Sequence, residues 1–432
     1  MNKPKTPPGL TLRLLAAERL ASVLKGANFA PFSVAEIADG RDRALANRLV
    51  TVALRRHGQL SAIIARYLER GIPKKSGPFE AQLRLSLAHL VFLPELGDHS
   101  AIFLAVEAAK RDTRSQHLGK LMNAVLRRAQ GEAHQLRQLP PELLFPEALQ
   151  SAWIAAYGEA ALEGFAEALL EGAPLDLTLR DDDPALLEAL RAAPVLADTV
   201  RIDARDRPVD ALPGFAEGRW WVQDAAAAIP ARLLGLAPGA RVLDLCAAPG
   251  GKTAQLIKAG YEVTALDSDA ERMARMATNL ARLGQQAELV VADVLSYAPT
   301  APFDGILLDA PCSATGTFRR HPEVIWHRDA ADIAGRAALQ KRFIERSLAW
   351  LKPGGTLVYC VCSLEPEEGE AQAAWLADRP DVTADPVRPL DLVGLESAVT
   401  PAGYVRTYPG MRVPGENDGT LDGFFVARFR RG

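Results

Sequence analysis

Between residues 241 and 360, five short runs rich in Val, Leu and Ile alternate with stretches of helical period: 241–245, 262–266, 288–292, 305–309 and 356–360. Runs this apolar suit strands covered on both faces, and helices between them make the strands parallel. The chain is therefore expected to build a doubly wound α/β sheet, which binds ligands beyond the carboxyl ends of its strands. Chemistry-bearing residues gather at those ends. Asp244, Asp267, Asp293 and Asp309 stand at or just past four of them, and all four cysteines (Cys246, Cys312, Cys360 and Cys362) fall there too. Free cysteines are often buried merely to pack, but packing gives no reason for all of them to collect at strand ends.

Residues 242–253, Val-Leu-Asp-Leu-Cys-Ala-Ala-Pro-Gly-Gly-Lys-Thr, read as a strand, a glycine turn and a helix start. Glycine lets backbone approach a ligand closely, and a helix start offers unpaired N–H groups. Gly251-Lys252-Thr253 invites a phosphate-loop reading, but that pattern needs a glycine five positions before Gly251, where Cys246 stands. G-x-G-x-x-G is not matched either. Asp267 ends the next strand, where a carboxylate accepts bonds from both hydroxyls of a ribose. Asp293 is the candidate acceptor for an adenine amino group, and Asp244 and Asp309 are candidates for the methionine end of a bound nucleoside or for the reaction itself.

The flanking segments have a different character. Residues 1–138 carry apolar residues at three- and four-residue spacing throughout and are expected to form an all-α bundle of about seven helices. They hold 22 Lys and Arg against 11 Asp and Glu, leaving 28 against 42 in the remainder. A basic module joined to an acidic one suggests a polyanionic partner for the first, with Arg127 and Arg128 among the candidate contacts. Pro140, Pro141 and Pro146 open a connector, 139–218, expected to be a small α+β unit; 219–432 holds the parallel sheet and closes on a late antiparallel strand at 423–429. No run approaches the ~20 apolar residues of a membrane span. The proline-rich start, residues 1–8, has no apolar core behind it, so a secretory signal is not expected. Four cysteines in 432 residues suit a reducing compartment, with the cytoplasm as the default. His99, His117, His134, His321 and His327 lack metal-ligand spacing, so no metal is expected.

Several motifs together resemble the RNA cytosine-C5 methyltransferases of the RsmB/Sun (NOL1/NOP2/Sun) group. They are Cys246-Ala247-Ala248-Pro249-Gly250-Gly251-Lys252; Asp309-Ala310-Pro311-Cys312-Ser313-Ala314-Thr315-Gly316 followed by Arg319-Arg320-His321-Pro322; and Tyr359-Cys360-Val361-Cys362-Ser363 followed by Pro366-Glu367-Glu368. Leu212-Pro213-Gly214-Phe215, Val222-Gln223-Asp224 and Asp422-Gly423-Phe424-Phe425 match as well, and Asn123-Ala124-Val125-Leu126-Arg127-Arg128 is similar to a helix of the NusB-like RNA-binding domain. Val361, Gly369, Ile325 and Asp182 depart from the usual Thr, Asn, Lys and Asn. The resemblance implies a NusB-like all-α N-terminal bundle, a small α+β connector and a C-terminal Rossmann-like class I methyltransferase sheet. It further implies methyl transfer from S-adenosyl-L-methionine to carbon 5 of a cytosine in a single-stranded loop of small-subunit (16S) ribosomal RNA by a monomeric enzyme.

On that resemblance Cys362 is the nucleophile, Cys312 assists product release, and Asp309 contacts the base. The loop 246–252 with Asp267, Asp293 and Asp309 holds the cofactor, and Arg319 and Arg320 grip the flanking RNA backbone. Trp326 is open to two readings, stacking on a base or packing as a wall. A thiolate adding to C6 of cytosine pushes electron density onto C5, which is otherwise a poor nucleophile. Other readings remain: a small-molecule or protein methyltransferase on the same sheet, a non-enzymatic RNA-binding module, or C5 methylation of transfer or large-subunit RNA.

Overall fold

The computed structural model describes residues 6–203, 208–413 and 419–432; residues 1–5 of the proline-rich start lie outside the described residues. The chain divides into two compact units. One runs to Leu170 and takes in His321–His327; the other is formed by Glu171–Arg320 and Arg328–Gly432. This division runs through the expected connector, 139–218: the helix Glu147–Tyr157 and nearly all of Glu159–Glu171 belong to the first unit, and the strands that follow belong to the second.

In the first unit, seven α-helices among the described residues lie between Leu10 and Leu136. Their apolar stripes meet in one core that includes Leu20, Leu49, Leu54, Phe79, Leu87, Met122 and Leu126. The helix Gly119–Gly131 shows why the pattern is helical. Met122, Val125, Leu126 and Ala129 turn inward at three- and four-residue spacing, while Lys120, Arg127 and Arg128 stay exposed. The helix Gly40–Arg55 starts at Asp39, whose side chain accepts from the Asp42 N–H at 2.8 Å and so meets an otherwise orphaned donor. Residues 321–327 pack within this unit: Glu323 accepts from the Phe29 N–H at 2.9 Å, Ile325 is buried, and the Trp326 ring lies 4.5 Å from that of His57. Trp326 here is a packing residue.

The second unit holds two sheets. The smaller joins β1 (Leu175–Leu179), β2 (Ala193–Leu196), β3 (Thr199–Ile202) and β4 (Trp220–Val222) in the order β2-β3-β1-β4, antiparallel throughout. The larger contains β5 (Arg241–Leu245), β6 (Glu262–Asp267), β7 (Glu288–Val291), β8 (Phe303–Asp309), β9 (Leu351–Val361), β10 (Val382–Ala384), β11 (Val405–Thr407) and β12 (Phe424–Arg431). Its order is β10-β12-β9-β8-β5-β6-β7, with β11 also on β12. Strands β5 to β9 pair in parallel, each pairing as the apolar runs suggested, and β12 returns antiparallel to β9 with Phe425 opposite Val361. The runs are apolar because both faces are covered: Val242, Leu243, Ile306, Leu307, Leu308, Leu357 and Val358 are all buried. Among the described residues no helix is long and apolar enough to cross a membrane, and no three His, Cys, Asp or Glu side chains are grouped to hold a metal.

Candidate active site

The carboxyl ends of β5, β6, β8 and β9 bring the predicted residues together on one rim. After β5 the chain turns sharply through Cys246, in the left-handed region at φ 59°, and through Gly250 at φ 100°. Gly250 is required twice over. Its φ suits only glycine well, and a Cβ there would sit 2.7 Å from Met276 Cγ. Asp267 at the end of β6 steadies the turn, accepting from the Ala248 N–H at 3.1 Å and from Asp269 N–H at 3.0 Å. Asp293 is exposed and lies two residues past β7, because that strand ends at Val291 and not at Ala292.

Asp244 is the strongest sign of a ligand here. It is fully buried, its Oδ2 accepts from the Thr253 hydroxyl, and its Oδ1 has no partner. Burial pushes this carboxyl up to about 7, against the pull of the Thr253 bond and the Lys252 ammonium. A donor group arriving at Oδ1 would satisfy it. An orphaned acceptor beside a glycine turn and a strand-end carboxylate fits the amino-acid end and ribose of a nucleoside cofactor. Lys252, expected among the cofactor contacts, instead reaches Asp309, with Nζ 2.8 Å from Oδ2. Burial would lower its ammonium, but Asp309 holds it above the ordinary lysine range.

The cysteine loops converge next to that pair. Cys312 and Cys362 stand with their sulfurs 3.5 Å apart, and Cys360 Sγ lies 3.5 Å from Asp309 Oδ1. The two loop cysteines differ in access, since Cys312 is buried and Cys362 is half-buried. The Cys312 thiol is raised well above its ordinary range, first by its bond to the Cys362 sulfur and then by burial. Cys246 is also pushed up, mainly by burial with Asp309 and Asp267 nearby. Gly316 and Gly423 make the convergence possible. A Cβ on Gly316 would lie 2.1 Å from the Gly423 carbonyl oxygen, and the Gly423 N–H donates to Gly316 O at 2.8 Å. Gly369, one of the departures from the family pattern, is similarly confined: a Cβ there would meet Arg406 Nη2 at 2.5 Å.

One expectation is corrected. Arg319 is closed off from an RNA backbone, and Arg320, partly exposed, is held by two buried carboxylates. Arg319 is 0 % exposed and bonds Asp224 at 2.9 Å, Asp422 at 2.7 Å and Thr420 O at 2.7 Å. Arg320 bonds the same two carboxylates at 2.6 and 2.9 Å. Burial would raise the Asp224 carboxyl, yet Arg320 and Arg319 hold it down at about 2. The cations are consumed by buried carboxylates, so their role is to knot the loop after Cys312 to β4 and to the start of β12. Removing one member of such a network leaves uncompensated buried charge, costing about 3–5 kcal/mol. Arg319→Met is therefore expected to lower the urea midpoint of this unit markedly, with little change in RNA affinity for the protein that remains folded. Arg127 and Arg128 do stay exposed, the latter with its guanidinium 4.9 Å from the centre of the Tyr67 ring. Arg328, which was not singled out from the sequence, donates to Ser313 O at 2.9 Å beside the Cys312 loop and is partly exposed. Its neighbour in the chain is an ordinary helix cap, so no sequence signal marks it.

Residues 231–430 match the family described as 16S rRNA methyltransferase RsmB/F, and residues 11–131 match the NusB family. The chain is 37% identical over 441 residues to the ribosomal RNA small subunit methyltransferase B of Xanthomonas campestris pv. campestris, with 97% of each chain covered. This chain belongs to the RsmB/F family of 16S rRNA methyltransferases. A second RsmB-type relative, from Klebsiella pneumoniae subsp. pneumoniae, is 37% identical over 97% of this chain and 98% of its own. Among solved structures, PH0851 superposes over 100% of both chains with a TM-score of 0.78 at 23% identity, and so shares the fold of this RsmB/F member. A methyltransferase homolog from Pyrococcus horikoshii covers 67% of this chain and 98% of its own, with a TM-score of 0.55 at 29% identity. The architecture is thus a NusB-type helical domain followed by a Rossmann-like methyltransferase sheet.

Proposed function

We propose that the chain transfers a methyl group from S-adenosyl-L-methionine to carbon 5 of a cytosine in small-subunit ribosomal RNA, with Cys362 bonded transiently to C6 of the base. The observation that carries this reading is the pair of sulfurs 3.5 Å apart beside the Asp309–Lys252 ion pair, on the rim that also bears the orphaned Asp244 oxygen. A methyltransferase acting on an already nucleophilic nitrogen or oxygen has no need of two cysteines. One acting on an electron-poor ring carbon uses a thiolate nucleophile, and a second sulfur beside it can assist release.

The half-buried Cys362 is the sulfur that a base can reach, and as thiolate it adds to C6. The C5–C6 π electrons then move onto C5. Asp309, ion-paired with Lys252, accepts from the exocyclic amino group of the cytosine and orients the ring. The turn 246–252 with Asp244, Asp267 and Asp293 would hold the cofactor, which when bound would supply a methyl group on a positively charged sulfur for attack by C5. H5 then leaves as a proton to solvent water, and the electrons of the C5–H bond reform the double bond as the C6–sulfur bond breaks and returns Cys362 as thiolate. Cys312, adjacent to that sulfur, is the group that assists release. C5 and C6 are accessible only when the base is unstacked, so a single-stranded loop is the substrate form. Arg127 and Arg128 on the helical domain track its phosphates, which fixes position without reading sequence.

Bisulfite sequencing of ribosomal and transfer RNA from a deletion strain tests the reading. One protected cytosine in small-subunit RNA is expected to become convertible while transfer RNA and large-subunit RNA stay unchanged. An unchanged small-subunit pattern would remove the proposal.

A further inference from the structure

The two cysteine loops are joined by a buried carboxylate that the chemistry above does not use. Glu368 is 0 % exposed and accepts from the Ser313 N–H at 2.9 and 3.1 Å, the Ser313 hydroxyl at 2.5 Å, the Ser363 hydroxyl at 2.6 Å and Gln340 Nε2 at 2.9 Å. Ser313 and Ser363 are the residues immediately after Cys312 and Cys362. Further rungs lie alongside: Leu364 N–H to Thr315 Oγ1 at 3.0 Å, and Gly316 N–H to Cys362 O at 3.0 Å. Glu368 itself is steadied from behind, where the Tyr359 hydroxyl donates to its backbone carbonyl at 2.5 Å.

Among the described residues Glu368 has no ion-pair partner, so its charge rests on neutral donors. A carboxylate buried this way costs several kcal/mol unless each bond is well made. Bonds to an ionised acceptor are shorter and about twice as strong as neutral ones, and they fix direction. A site that needed only packing here would be better served by an apolar side chain. What the carboxylate adds is geometry: one oxygen pair takes donors from both loops and sets how far apart the two preceding residues stand.

We propose that Glu368 is a positioning residue that holds Cys312 and Cys362 at the separation needed for assisted release, touching neither base nor cofactor. The proposal rests on the reaction assigned above only for its activity arm, because sulfur juxtaposition can be measured without RNA.

The experiment treats the full-length protein, without RNA or cofactor, with an azo oxidant. Two thiols give up two electrons and two protons to the N=N bond, forming one disulfide and the hydrazine product, and peptide mapping scores the Cys312–Cys362 link. Glu368→Gln is expected to slow this link about tenfold or more and to lower kcat about as much. Cofactor Kd and the KM for RNA should stay within about twofold. Loss of the negative charge alone would favour thiolates and speed oxidation, since Glu368 is among the groups that raise the Cys312 thiol. A slower link therefore reports separation. A folded Glu368→Gln protein that cross-links within about twofold of wild type overturns the proposal. If that variant does not fold, Ser363→Ala decides: it removes one donor and keeps the carboxylate. A slowing of about threefold or more supports the clamp, and an unchanged rate overturns it. Slower cross-linking in a protein whose wild type methylates no RNA would leave the clamp standing and remove the reaction; methylation with an unchanged cross-link rate does the reverse.

Discussion

Cys362→Ala is expected to reduce methyl transfer by about a thousandfold or more while S-adenosyl-L-methionine affinity changes by less than about twofold. The asymmetry follows from where the side chain sits. The glycine turn 246–252 follows β5, Asp244 lies on β5 and Asp267 on β6, and Asp244 keeps its orphaned oxygen whatever stands at 362. Without the thiolate, C5 keeps the electron-poor character of the aromatic ring. No neighbouring sulfur substitutes: Cys312 is buried, its thiol held protonated by its surroundings, and Cys360 points back at Asp309. Single-turnover methyl transfer to an RNA fragment, with equilibrium dialysis of the cofactor alongside, measures both halves. Turnover above about a tenth of wild type would reassign the nucleophile.

Cys312→Ala is expected to produce the opposite phenotype: bond formation without release. Under turnover conditions a covalent RNA–protein adduct should accumulate to a large fraction of the enzyme and survive a denaturing gel, where the wild type shows none. The substitution removes a single buried sulfur, and the cavity it leaves is small, costing on the order of 1 kcal/mol, so the protein should remain folded. Adding Cys362→Ala to it should abolish the adduct, which ties the bond to the sulfur at 362. A Cys312→Ala enzyme that turns over freely and leaves no adduct would remove the release role while leaving Cys362 untouched.

Parallel strands were legible because burial on both faces writes itself as continuous apolar runs, and 241–245 matches β5 end to end. The glycine turn after β5 was legible too, since its glycines and the strand-end carboxylates are local. What escaped were contacts between residues distant in sequence. Arg319 and Arg320 read as phosphate-gripping cations because their charge is visible and their partners are not: Asp224 lies 95 residues from Arg319, and Asp422 lies 102 residues from Arg320. Glu368 read as part of a family motif, but its bond to Ser313 spans 55 residues. Strands β2, β4, β10 and β11 are three or four residues long, too short for any periodicity to declare itself. Pairing with longer neighbours makes them strands, and pairing is not written in a short segment.

The close pass of Gly316 against Gly423 has a consequence for how this enzyme comes into being. The floor under the Cys312 loop is laid by residues 422–431, which follow both sulfurs in the chain. A nascent chain ending before Asp422 has its cofactor turn and both sulfurs in sequence but lacks the strand that seats them. On the proposed chemistry, such a chain cannot yet bond covalently to RNA.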